Sequence, residues 1–135
     1  MLDLRLARLW ALIGWVGVLA AVVVSLWPGG VPLPAQVWDK VQHGTGYALL
    51  TLWFTGLYPR GRYLLIGVAC CLLGIAIEAL QGLTATRSTE AADVLANSTG
   101  IAVALALAYT TVLGGWAQRV ERLAGLEPRC QPETP

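Results

Sequence analysis

The chain has 135 residues, of which 56% are hydrophobic and 13% charged, and nine Lys and Arg against eight Asp and Glu leave a net charge of +1; its mean hydropathy is +0.63. Soluble domains carry about 25% charged residues, and a chain this short has much surface to cover for its volume. The composition excludes a soluble globular domain, a disordered chain and a nucleic-acid binder working through basic patches.

A bilayer core takes about 20 apolar residues of helix to cross, and lipid cannot satisfy free backbone groups. Four runs fit, in chain order. The first spans Leu9 to Trp27, with Ser25 as its only polar side chain. The second runs from Val41 to Tyr58 and carries Gln42, His43, Thr45, Thr51 and Thr55. The third runs from Tyr63 to Leu83, interrupted by Glu78 and Gln81, and the fourth from Val94 to Trp116, with Asn97, Ser98 and Thr99 near its start. Alternating strands of about ten residues, the mark of a membrane barrel, are missing from these continuous runs.

The links are short: a turn-rich Pro28–Gln36, a tight Pro59-Arg60-Gly61-Arg62, and Thr84–Ala92. The tail from Gly125 to Pro135 holds three prolines and reads as loose. No internal repeat and no second domain is visible. The expected fold is all-α, a four-helix transmembrane bundle in one domain.

With four spans, Arg5, Arg8, Arg60, Arg62, Arg119, Arg122 and Arg129 share one side, and Lys40 and Arg87 the other. The positive-inside rule puts the seven arginines, and both termini, in the cytoplasm. Trp27, Trp38 and Trp116 sit near helix ends, as interface anchors. The first run is too long for a signal-peptide core and no small-x-small site follows it, so it reads as an uncleaved helix. Cys70 and Cys71 read as small apolar filling, and the three cysteines form neither a disulfide framework nor a metal spacing. No cofactor motif is present.

The orientation collects the unusual polar residues at the outer end, while the cytoplasmic half has no comparable set. Asp39, His43 and Tyr47 lie at i, i+4, i+8; Glu78 and Gln81 at i, i+3; Asp93, Asn97 and Gly100 at i, i+4, i+7, so each group forms one helical stripe. Ionisable groups in a membrane avoid lipid, so the three stripes are expected to face one another around an outward-facing polar pocket. Glu78 lies roughly 7 Å inside its run at 1.5 Å per residue. An unpaired carboxylate there is costly, which makes Arg87–Glu78 or Arg87–Asp93 the expected pair.

Asp39-Lys40-x-x-His43 followed by Tyr47, then Glu78-x-x-Gln81, Arg87 and Asp93-x-x-x-Asn97-x-x-Gly100, resembles the signature of the VanZ-like family in order and spacing. The resemblance implies a small bacterial integral membrane protein with these residues facing outward, and its named member is linked to resistance to the glycopeptide teicoplanin. It supplies a cell-envelope context and no settled reaction. A glycine frequent four residues after Gly100 is Ala104 here, which is still small enough for close packing.

Each candidate has a functional and a packing reading. His43, the only histidine, with Glu78 and Asp93, forms the candidate catalytic set, His43 acting as a general acid or base oriented by Asp39; the packing reading makes His43 a hydrogen-bonded tie between helices. Asp39, Lys40, Tyr47, Gln81, Arg87 and Asn97 form the candidate binding set, Arg87 with Lys40 suiting a phosphate or carboxylate on a lipid-linked or cell-wall precursor. The packing reading of the same two cations is internal neutralisation of Glu78, Glu90, Asp39 and Asp93, and the outer side's four acids against two bases weigh against a pure anion site. No ligand spacing demands a metal. Tyr47 reads as packing with its hydroxyl in the network, Gly44 and Gly46 as sites of close helix approach or of space left for a ligand, and Gly17-x-x-x-Ala21 and Gly100-x-x-x-Ala104 as packing faces. The Asn97-Ser98-Thr99 sequon is discounted for its place at a helix mouth. Three functions compete: a binding protein or enzyme for a lipid-linked or cell-envelope molecule, an accessory membrane protein whose polar cluster locks the bundle, and a small ion-coupled transporter. The bilayer is the expected partner, oligomers are open, and nucleic acid is not expected.

Overall fold

A computed structural model of the chain describes residues 1–27, 36–83 and 91–126, with residues 36–39 described for their backbone alone. It is all-helical among the described residues: α1 (Ala7–Leu26), α2 (Gln36–Leu57), a 3-10 turn (Arg60–Arg62), α3 (Tyr63–Gly82), α4 (Ala91–Thr110) and α5 (Trp116–Leu123). The four long helices match the four apolar runs. The fourth is shorter than expected: it stops at Thr110 rather than Trp116, and α5 was not foreseen. Gly115 explains the break, since its φ of 71° lies in the left-handed region that suits glycine and turns the chain before α5. The expected loose tail lies, from residue 127 on, outside the described residues, as does most of the first link.

Contacts between helix ends fix the directions. The Leu2 N–H donates to the Leu57 carbonyl at 2.8 Å and the Gly115 N–H to the Thr55 carbonyl at 3.2 Å. The chain start, the end of α2 and the start of α5 therefore share one end, the termini end. Gln81 Nε2 donates to the Ser25 carbonyl at 2.7 Å, and Lys40 Nζ lies 2.8 Å from Asp93 Oδ1. These join the helices at the far end. α1 and α3 run from the termini end to the far end; α2 and α4 run back.

Three stretches are long and apolar enough to cross a membrane: Ala7–Leu26, Arg60–Gly82 and Ala91–Thr110, with mean hydropathies of 2.4, 2.3 and 1.6. Their outer faces are exposed and apolar, with Leu12, Leu19, Leu64, Leu72 and Leu95 all at least 60% exposed. Patches of that extent are what a bilayer covers. α2 is the exception to the expectation of four apolar spans. Its 22 residues are long enough, but Lys40, Gln42, His43 and three threonines dilute it. Its contacts account for part of this: α2 packs against α1, α3, α4 and α5, and Thr51 and Thr55 are fully buried there, whereas Gln42 and Thr45 are exposed. Polar groups buried among helices are tolerated where lipid would not accept them.

The tightest seam joins α2 to α4. A Cβ on Gly100 would overlap the Gly44 carbonyl, and one on Gly44 would stand 3.2 Å from the Ala96 carbonyl oxygen. Ala104 and Ala108 continue the seam fully buried, as the small-residue pattern predicted. Gly46 departs from it: nothing lies within 4 Å of its Cβ position, so it is not a point of close approach.

Indole groups close the termini end. Trp10, Trp53 and Trp116 are in mutual contact, with centroid separations of 6.0, 5.3 and 4.8 Å. Each indole N–H is used: Trp53 donates to the Trp10 carbonyl, Trp116 to the Leu52 carbonyl and Trp10 to Glu121. Aromatic contact and a satisfied N–H together make this a strong apolar joint. Trp116 is thus a packing residue rather than an interface anchor, while Trp27 at the end of α1 is 62% exposed. In α4, Ser98, Thr99 and Thr110 donate to carbonyls four residues back, which satisfies their hydroxyls within the helix.

Candidate functional site

The far end gathers the polar residues singled out from sequence. Lys40, on the first half of α2, reaches α4 and forms a 2.8 Å ion pair with Asp93. Asp93 sits in the first turn of α4, where the helix dipole favours a carboxylate. It is 6% exposed, and Glu78, Gln81 and Asn97 are 3–4% exposed. Tyr47, two turns below Lys40, is 5% exposed.

Gly74 of α3 shows where these helices meet. A Cβ there would stand 3.3 Å from Asn97 Nδ2 and 3.4 Å from the Tyr47 hydroxyl. Tyr47 of α2 and Asn97 of α4 thus converge on α3. Glu78 lies one turn further along the same α3 face. The Tyr47 hydroxyl and Asn97 Oδ1 are buried without a hydrogen-bond partner among the described residues. Buried polar atoms are nearly always satisfied, so such a pair marks a place for water or a ligand group.

The residues divide into three groups. Lys40 and Asp93 are brought into contact, and Tyr47 and Asn97 are brought together beside Gly74 on the face that carries Glu78. Gln81 follows Glu78 on the same stripe, and its amide donates to the Ser25 carbonyl of α1. His43 is half-buried. The Asp39 side chain and Arg87 lie outside the described residues, and with them the expected Arg87–Glu78 and Arg87–Asp93 pairs. Among the described residues no group of three or more His, Cys, Asp or Glu is placed to hold a metal ion. The Tyr47 hydroxyl was expected in a hydrogen-bonded network, and among the described residues it has no partner.

One buried carboxylate was missed. The sequence reading gave the termini end no comparable polar set, yet Glu121 of α5 is 4% exposed there. Its oxygens accept from the Arg5 N–H at 2.7 Å, the Leu6 N–H at 2.8 Å and Trp10 Nε1 at 2.8 Å. α1 has no side-chain cap of its own, so Glu121 supplies one from the far side of the sequence to N–H groups that would otherwise be orphaned. Burial pushes its carboxyl up, but the bonds from Leu6, Trp10 and Arg5, with the Arg5 charge, outweigh it and hold the group below its usual value. The available signal was a single acid among arginines in Trp-Ala-Gln-Arg-Val-Glu-Arg-Leu, a pattern that looks like a solvated face until the partner is known.

Compared with protein-family models, with curated proteins and with solved structures, the chain matches none.

Proposed function

We propose that the chain is a four-span protein of VanZ-like type in a bacterial cytoplasmic membrane, with both termini inside, and that its far end faces outward and binds or modifies a lipid-linked or cell-envelope molecule. The three apolar stretches support the membrane setting. The observation that carries the site is the buried Tyr47 hydroxyl beside Asn97, with partnerless atoms on both side chains among the described residues, next to the Lys40–Asp93 pair. Two polar atoms of this kind accept or donate to a ligand at little added desolvation cost. In this reading His43, Glu78 and Asp93 carry any acid–base step, and Lys40 and Arg87 neutralise an anionic group.

The test is a thermal melt of the purified protein with and without a polyprenyl-phosphate-linked cell-wall precursor. The precursor should raise the melting temperature of wild type, and Asn97→Ala or Glu78→Gln should remove that rise while leaving a cooperative unfolding transition. No rise in wild type would sink the proposal.

A second reading is favoured by the bonds that cross between helices. Lys40–Asp93 ties α2 to α4 and Gln81–Ser25 ties α3 to α1, as polar glue in a membrane bundle would. Under it, the same substitutions lower the melting temperature without any precursor present.

A further inference from the structure

A groove of about 440 Å³ runs between α1, α2 and α3. It lies apart from the polar far end and has a different character. Trp15, Phe54, Leu65, Ala69 and Leu73 line it, over a floor that includes Leu50 and Cys70. Trp15 and Leu65 are 64% and 59% exposed, so the groove opens sideways, toward the face that a bilayer covers.

Its polar groups are at one end. Tyr58 and Arg62 line the groove, and both belong to the turn between α2 and α3 at the termini end. Arg62 is exposed, and its guanidinium has no hydrogen bond or ion pair among the described residues. Along α3 the lining extends from Arg62 to Leu73, which is about 16 Å at 1.5 Å per residue. That is close to half of the roughly 30 Å hydrocarbon core of a bilayer. The groove thus matches one leaflet in depth, with a cation where headgroups lie and apolar walls where acyl chains lie.

We propose that this groove holds one phospholipid of the leaflet next to the chain termini, an acyl chain lying between α1 and α3 and the phosphate meeting Arg62. Arginine suits this role because its fork of donors matches phosphate oxygens with two parallel bonds. Tyr58 adds a hydroxyl at the same depth.

Native mass spectrometry of the full-length protein in mild detergent tests it, with phosphatidylglycerol and diacylglycerol of identical acyl chains as probes. Wild type should retain one phosphatidylglycerol and bind diacylglycerol about tenfold more weakly, as loss of a charge-assisted phosphate bond implies. Ala69→Phe, which fills the groove, should lower phosphatidylglycerol retention by about the same factor. Val103→Phe, adding similar bulk on the exposed face of α4, should not. Arg62→Gln, at an exposed position whose side chain has no hydrogen bond or ion pair among the described residues, should erase the preference for phosphatidylglycerol. Undiminished retention in a folded Ala69→Phe protein, or equal binding of the two lipids by wild type, would overturn the proposal. If Ala69→Phe does not fold, persistence of the phosphatidylglycerol preference in Arg62→Gln overturns it alone.

Discussion

Gly44 of α2 and Gly100 of α4 pack backbone to backbone, so closely that a methyl group built on Gly100 would overlap the Gly44 carbonyl oxygen. The two helices run in the same direction, and this contact sits between the Lys40–Asp93 pair above and the buried Ala104 and Ala108 below. Gly100→Ala must therefore push α2 from α4 and should cost about 1–3 kcal/mol, the usual penalty of overpacking. Gly46→Ala meets nothing within 4 Å. It should be neutral or gain up to about 1 kcal/mol from the better helix propensity of alanine. Thermal melts of the two variants in detergent check the contrast, and equal melting temperatures would contradict the seam.

Glu121 is expected to be a stability residue despite its distance in sequence from everything it binds. Glu121→Ala strands three N–H donors, two of them from the backbone at the head of α1, and should cost about 1–3 kcal/mol or more. Glu121→Gln keeps one acceptor oxygen and should fall between. The pH dependence follows from the lowered carboxyl value. Above the ordinary glutamate value of 4.5 the carboxylate is charged in folded and unfolded chains, and its full contribution is present. Below it the unfolded chain takes up a proton first, so stability falls until the folded value is passed. Melts of wild type and Glu121→Gln should converge as the pH drops from about 7 to about 3; a constant gap would show that the carboxylate charge is not what matters.

Much of this was legible because membrane helices obey simple rules. Apolar length located α1, α3 and α4, and helical spacing placed Tyr47 with Asn97 at α3. What escaped was tertiary in origin. α2 is less apolar than a lone span, and its neighbours shield only part of that polarity: Thr51 and Thr55 are buried, while Gln42 and Thr45 are exposed. α5 is eight residues long, too short to show a period, and the role of Glu121 depends on N–H groups more than a hundred residues away. Lys40 had two readings, a ligand-neutralising cation and an internal partner for Glu78, Glu90, Asp39 or Asp93, and it pairs with Asp93; spacing along one helix does not reveal which of several acids a long side chain reaches.

The Lys40–Asp93 pair separates the two readings of the far end. Asp93 is buried while the Lys40 side chain is 34% exposed, so solvent screens one partner. Lys40→Ala should cost about 1–3 kcal/mol, less than the loss expected for a fully buried pair. If the pair is a lock, Lys40→Ala with Asp93→Ala should recover part of that loss, since no buried charge is left alone. If it is part of a binding site, the double variant should regain stability and still fail to respond to the lipid-linked precursor. A double variant that both melts and responds like wild type would remove the pair from either role.

Orientation can be read from chemistry that is native to the chain. Arg5, Arg8, Arg60, Arg62, Arg119 and Arg122 are all exposed at the termini end, whereas Lys40 at the far end is committed to Asp93. Exposed arginines flanking long apolar helices are the groups that resist translocation. Leu123, 90% exposed at the end of α5, marks the arginine side. Leu83, 84% exposed at the end of α3, marks the opposite one. In a background with Cys70, Cys71 and Cys130 replaced by serine, Leu123→Cys should resist a membrane-impermeant maleimide in intact cells and react after lysis. Leu83→Cys in the same background should react in intact cells. The reverse pattern would invert the topology and place the Tyr47–Asn97 site in the cytoplasm, and labelling of both would mean that an odd number of helices crosses.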